Sequence, residues 1–171
     1  MTPLYIYCLE RIINMQKFPV KFNVEKFIEE NFDNILNKLH EHHEFIIKSY
    51  LLDIKTGIQE QSAINENGNI TFFIQSIEFA VSMLETMKAQ QTWIILLIYH
   101  EILHSVYNKM ENESQEDYEK RMNRNVLLNA TVLSRQYDTK YLYQEYLRRG
   151  TNDKKVWDIL LFGLENYKSN D

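Results

Sequence analysis

The stretch from Gln90 to about Asn108 constrains the fold most, because it is predicted to form a helix that is apolar nearly all round. Its centre is the uninterrupted run Trp93-Ile94-Ile95-Leu96-Leu97-Ile98-Tyr99. A helix with no polar face has to be covered by other elements of the chain. The run is about a third of the length that a membrane span requires. We therefore expect a central core helix and no membrane partner.

The rest of the chain predicts one domain, residues 1–171, that packs further helices around this core. A chain of 171 residues that is 44% hydrophobic is long enough for one well-buried domain, and four Gly and two Pro leave room for few irregular loops. Apolar spacing and capping residues predict three of these helices: Val24–Leu39 after Asn23, Ile77–Lys88 after Ser76, and one opened by the capping box Ser114-Gln115-Glu116-Asp117. We divide the domain into N-terminal helices (1–55), a β-hairpin (56–75), the core helix with the helix after it (76–135), and C-terminal helices (136–171).

A small amount of sheet is predicted around Asn67-Gly68. This dipeptide stands between two β-prone runs, the second of which is Ile70 to Ile74, and both of its residues tolerate positive φ. The segment Phe45 to Ile54 is apolar with an ambiguous period, and we slightly favour helix over strand there. The predicted fold class is α+β, mostly helical, with a small antiparallel sheet or hairpin packed on the central helix.

The central helix carries the sequence His100-Glu101-Ile102-Leu103-His104, an H-E-x-x-H motif. A spacing of four residues places both imidazoles on one face of a helix, where two ring nitrogens can bind one zinc ion. Glu101 lies beside them, in a position to take a proton from a zinc-bound water. The motif therefore predicts zinc as cofactor, His100 and His104 as metal ligands, and Glu101 as general base.

The motif and its surroundings resemble the zincin metallopeptidases, in which the motif helix packs under a small sheet. The order of elements is similar: the strand Ile70 to Ile74, a helix, the motif helix and one further helix. The chain also resembles predicted metallopeptidases that neighbour von Willebrand-type domains, in which an N-x-x-x-D helix follows; here the comparable place holds Asn125-Val126-Leu127-Leu128-Asn129, without the terminal acid. The resemblance covers about residues 67–137. It implies peptide-bond hydrolysis, with the strand pairing an extended peptide or protein substrate.

The resemblance also implies a third ligand. The metzincin extension would need Gly and His where this chain has Tyr107 and Met110. The gluzincin arrangement uses a carboxylate on the following helix, and Glu119 is preferred because it shares the core-facing stripe. Glu116 and Asp138 are the alternatives.

A second cluster, His40, His42 and His43, follows the first amphipathic helix. Three close histidines at a helix end are more often solvated than metal-bound, although a second metal site or a lid is open. If the N-terminal helix covers the site and keeps the protein latent, deletion of the residues before Phe45 should raise activity.

Charge and cysteine content limit the partners and the compartment. A formal net charge of −5 argues against nucleic acid as the main partner. The single cysteine, Cys8, excludes an intramolecular disulfide framework and favours a cytoplasmic protein.

Three functions are compatible with these features. The first is a compact, gluzincin-like zinc metallopeptidase. The second is a catalytically inactive zincin-like interaction or regulatory protein of a mobile element or virus. The third is a helical binding protein in which the motif is accidental, and it predicts no stoichiometric zinc. The oligomeric state is open.

Overall fold

The computed structural model describes residues 17–54 and 61–133, together with Tyr141 and Gln144. Within these residues the fold is mixed α and β, mostly helical, as predicted. The helices are α1 (Val24–His40), α2 (Ile74–Val81), α3 (Met87–Leu103) and α4 (Gln115–Leu133). The strands are β1 (Ser49–Asp53), β2 (Ala63–Glu66) and β3 (Asn69–Phe73).

The predicted hairpin is confirmed. Strands β2 and β3 pair antiparallel, with Glu66 opposite Asn69, so that Asn67 and Gly68 form the two-residue turn. Both turn residues have positive φ, 54° and 85°. This is the backbone that a two-residue hairpin loop requires and that Asn-Gly adopts readily.

The helical preference for Phe45 to Ile54 is wrong. Residues 49–53 form β1, which pairs parallel to β3, with Tyr50 opposite Ile70. The sheet is therefore mixed, in the order β1-β3-β2, rather than a hairpin alone. Tyr50 and Leu52 turn toward the core, where the Tyr50 ring packs on Phe32 of α1 with centroids 4.0 Å apart. Leu51 between them is 61% exposed although it is apolar, so the sequence itself does not alternate between apolar and polar residues.

Helix α1 confirms the predicted amphipathic helix. The side chain of Asn23 caps it by accepting a hydrogen bond from the backbone N–H of Lys26 at 3.0 Å. Five side chains on one stripe are buried: Val24, Ile28, Phe32, Ile35 and Leu39.

The helix predicted over Ile77–Lys88 has different ends. Helix α2 begins at Ile74, directly after β3, and ends at Val81; Ile74, Ile77 and Val81 lie on its buried face. The next helix, α3, begins at Met87, where the side chain of Thr86 accepts from the N–H of Ala89. The turn between the two helices is held by Gln90, whose side-chain amide donates to the backbone carbonyl of Leu84.

Helix α3 is the central element, as the sequence predicts. It contacts α1, α2, α4 and β2, and eleven of its seventeen residues are buried. Its partner α4 starts at the predicted capping box, where the Ser114 hydroxyl accepts from the N–H of Asp117 at 3.1 Å. No helix within the described ranges is long and apolar enough to cross a membrane. The C-terminal helices predicted for 136–171, and Cys8, lie outside the described residues.

Candidate active site

The two histidines of the motif meet at the C-terminal end of α3. His100 lies in its last turn and His104 is the C-cap residue. Their Nε2 atoms are 2.9 Å apart, with the rings nearly perpendicular. Two nitrogens bound tetrahedrally to one zinc at 2.0–2.1 Å would be about 3.3 Å apart, so a small opening of the pair would admit the ion. The predicted pair of ligands is thus brought together.

His104 is held from its other side by the following helix. Its Nδ1 lies 3.2 Å from the hydroxyl of Tyr118, which in turn donates to the backbone carbonyl of Tyr107 at 3.0 Å. Burial lowers the pKa of His104, and the charge of Glu119 acts in the opposite direction. The lowered pKa favours the neutral imidazole, the form that binds a metal ion.

Glu101 is a buried carboxyl group next to this pair. Only 6% of the residue is exposed, and burial raises the pKa of its side chain to about 7. A carboxyl group with a pKa near neutrality exists in both protonation states at physiological pH. It can therefore accept a proton and return it, as acid–base catalysis requires.

The proposed third ligand, Glu119, lines the same cavity as the motif residues. Its carboxylate accepts a hydrogen bond from the side chain of Gln115 at 2.9 Å. Among residues 17–54, 61–133, 141 and 144, no group of three or more His, Cys, Asp or Glu side chains is placed to hold a metal ion. Glu119 is therefore near the histidine pair without forming a ligand triad, and its role stays a prediction.

Of the two alternatives to Glu119 as third ligand, Glu116 lies within the described residues and Asp138 does not. Glu116 pairs with Lys120 at 3.1 Å, its side chain is 78% exposed, and it does not line the cavity. It is the weaker candidate for this reason.

A large cavity of about 1370 Å³ surrounds these groups. It is lined by His100, Glu101 and His104 from the motif, by all four residues of β2, and by residues of the loop after α1. Its lining contains both polar and apolar residues. A cavity of this size that is open to solvent is large enough to bind a ligand.

The second histidine cluster contributes to this cavity. His40 and His43 line it, whereas His42 is exposed and does not. His43 is half-buried, with its ring edge-on to Tyr107 at 5.7 Å between centroids. His40 stacks on Phe45 at 4.2 Å. Sequence alone had no means to place this loop beside the motif.

The strand that faces the cavity is β2, and this corrects one expectation. The run Ile70 to Ile74 was expected to pair with substrate, but β3 is the central strand and has a neighbour on each side. The last residue of the predicted run, Ile74, is the first residue of α2. The strand at the sheet edge that lines the cavity is β2.

Two residues of the site were missed by sequence reasoning, Asn65 and Tyr118. The Asn65 side chain donates to the backbone carbonyl of Glu101 at 2.7 Å and to the Ser105 hydroxyl at 2.8 Å. Its position just before the Asn-Gly turn gave a signal for the turn only. Contacts of this kind depend on how the hairpin and α4 pack on α3.

The chain matches no protein-family model, and no curated protein or solved structure is significantly similar to it. The case for a function therefore depends on the geometry of the site.

Proposed function

We propose that this chain is a zinc-dependent peptidase in which Glu101 is the general base. The observation that carries the proposal is the 2.9 Å approach of the His100 and His104 Nε2 atoms in the same cavity wall as a buried carboxyl group. Paired imidazole nitrogens are common zinc ligands in hydrolytic sites, and Glu101 lies beside them as a base rather than as a ligand. The resemblance of the motif to zincins points in the same direction.

In this proposal His100, His104 and Glu119 hold the metal. Glu119, which is half-buried and lines the cavity, would exchange its hydrogen bond from Gln115 for the metal. Zinc, when bound, lowers the pKa of a coordinated water and polarises the carbonyl of the substrate. Proton transfer and substrate binding are carried out by residues of the chain itself.

Glu101 carries the proton in both directions. With a pKa raised to about 7 by burial, its carboxylate can take a proton from the attacking water and return it to the leaving amine. Burial also keeps bulk water away from the carboxylate, which strengthens its interactions.

Strand β2 is proposed to bind the substrate. Among the described strands it lies at an edge of the sheet and lines the cavity, and its outer side is where an extended peptide would pair. This assigns the pairing role first given to Ile70–Ile74 to Ala63–Glu66. Such recognition uses the peptide backbone, so the substrate class is an extended peptide or an unfolded segment of a protein. The single cysteine supports a cytoplasmic location.

The test is hydrolysis of a casein-derived peptide mixture by protein reconstituted with zinc. We expect cleavage by the wild type and a loss of roughly 10²–10⁴-fold in Glu101→Gln, the range that a general base contributes. Glu116→Gln is the matched control, because this glutamate lies on the solvent side of α4. Cleavage by Glu101→Gln at the wild-type rate would refute the assignment.

A second candidate is a zincin-like interaction protein without catalysis, including the regulatory role in a mobile element or virus. The observation that favours it is the hydrogen bond from Gln115 to Glu119, in place of an assembled ligand triad among the residues that the structure describes. Zinc binding with no hydrolysis in the wild type would select this candidate.

A further inference from the structure

We infer that Tyr118 is a positioning residue that holds His104 as the Nδ1–H tautomer and so directs the lone pair of its Nε2 toward His100. Three polar contacts form a chain here: His104 Nδ1 with Tyr118 Oη, Tyr118 Oη with the Tyr107 carbonyl, and His104 Nε2 with His100 Nε2. Each contact is a hydrogen bond only if one of its two atoms carries a proton. The tautomer assignment stands on these contacts; its consequence for zinc rests on the proposed function.

The Tyr118 hydroxyl has one proton to give. The Tyr107 carbonyl oxygen, 3.0 Å away, can only accept, so this contact is a hydrogen bond only when Tyr118 donates to it. A phenol with a pKa near 10 keeps its proton at neutral pH. With the proton directed to Tyr107, the hydroxyl oxygen can only accept from His104, and Nδ1 must carry a hydrogen.

The opposite assignment satisfies fewer contacts. If Tyr118 donated to Nδ1, its oxygen and the Tyr107 carbonyl oxygen would face each other at 3.0 Å with no hydrogen between them. Leaving a half-buried carbonyl acceptor unpaired is unfavourable. The Nδ1–H tautomer makes all three contacts hydrogen bonds, because His100 then provides the proton between the two Nε2 atoms.

Tyr118 is itself held in place by a neighbour on α4. The guanidinium of Arg121 lies over its ring, 5.5 Å from the centroid. Arg121 donates to both carboxylate oxygens of Glu113 at 2.9 Å and to the backbone carbonyl of Asn108 at 2.7 Å. The loop between α3 and α4 is thereby fixed to the first turns of α4, and the hydroxyl of Tyr118 is presented to His104.

A histidine that binds metal through Nε2 needs its other nitrogen protonated and hydrogen-bonded. In this site that partner is a tyrosine whose own proton is committed to a main-chain carbonyl. The arrangement fixes the orientation and the tautomer of the His104 ring before a metal ion binds. Removal of such a partner commonly lowers metal affinity by about 10–100-fold.

The test reads the tautomer in metal-free, ¹⁵N-labelled full-length protein at pH 7.5 by two-bond ¹H–¹⁵N correlation, with His104→Gln used to assign the signal. We expect Nδ1–H in the wild type and a shift toward Nε2–H in Tyr118→Phe. Tyr50→Phe, which loses a hydroxyl on β1, is the matched control and should leave the signal unchanged. Zinc titration of the same proteins should show a 10–100-fold weaker affinity in Tyr118→Phe alone.

An Nε2–H signal for His104 in the wild type would overturn the inference, and so would an unchanged tautomer in Tyr118→Phe. The first of these results is read in the wild-type protein, and a variant is needed only to assign the signal. If the tautomers are as expected but neither protein binds zinc, the proposed function fails while the role of Tyr118 toward His104 stands.

Discussion

The side-chain amide of Asn65 donates a hydrogen bond to the backbone carbonyl of Glu101 at 2.7 Å and so joins β2 to the motif turn of α3. This carbonyl has lost its usual helical partner, because the N–H of Ser105 bonds to Ile102 instead. The second amide hydrogen of Asn65 goes to the Ser105 hydroxyl, and its Oδ1 accepts from the N–H of Gly68 at 3.0 Å. One side chain thus connects the hairpin turn, the sheet edge and the site.

Asn65→Ala should lower the free energy of unfolding by about 1–3 kcal/mol, because it leaves the Glu101 carbonyl and the Gly68 N–H without this partner. Asn65→Asp keeps an acceptor for Gly68 but removes both donors, and it places a negative charge against the Glu101 carbonyl. We expect it to be at least as destabilising as alanine. Urea denaturation of the three proteins measures both differences. Equal stability of wild type and Asn65→Ala would contradict the described role.

In the hairpin turn, substitutions at the adjacent residues Asn67 and Gly68 should have different effects on stability. A β-carbon on Gly68 would lie 2.7 Å from the backbone oxygen of Ile46, and its φ is +85°. Gly68→Ala should therefore cost about 2 kcal/mol or more, and it should disturb the loop that carries His43. Asn67→Gly keeps a turn compatible with its φ of 54° and should stay within roughly 1 kcal/mol of wild type. Thermal unfolding midpoints distinguish them; similar losses in both variants would count against this reading of the turn.

Glu101 gives a pH prediction for the metal-free protein. Folding raises the pKa of its carboxyl from 4.5 to about 7 through burial, so the native state binds more protons than the unfolded chain between these values. The free energy of unfolding contributed by this group therefore falls as pH rises from 4.5 to 7, by on the order of 3 kcal/mol. Glu101→Gln lacks this dependence.

Chelator-treated wild type and Glu101→Gln should consequently have similar stability near pH 4.5, and the variant should be the more stable protein above pH 7. Chemical denaturation across this range measures the difference. Parallel pH profiles for the two proteins would show that the carboxyl group is not desolvated as described.

Local signals in the sequence predicted a substantial part of this fold. The cap at Asn23, the Asn-Gly turn and the N-cap at Ser114 each depend on neighbours within a few residues, and all three are confirmed. The central position of α3 followed from its apolar surface. Strand β1 was missed because its exposed residue Leu51 is as apolar as its neighbours, so residue type does not alternate along it, and its pairing with β3 is a long-range contact.

In the candidate site, too, contacts within one element could be predicted from the sequence, and contacts between elements could not. The spacing of His100 and His104 within one helix predicted that their nitrogens would meet. The partners that come from other elements, Asn65 on β2 and Tyr118 on α4, have no sequence signal of their own, because their roles depend on tertiary packing. The third ligand belongs to this second group, so the sequence alone left Glu119 as one of several carboxylates.

The zinc content of the purified protein tests the central claim most directly, measured in parallel for wild type, His104→Ala and Glu101→Gln. The account predicts about one zinc per chain in the wild type and in Glu101→Gln, and loss of zinc in His104→Ala, since the histidine is a ligand and the glutamate is not. Glu119→Gln should bind zinc more weakly than the control Glu116→Gln. Absence of zinc from the wild type, even after zinc is supplied in excess, would contradict the account.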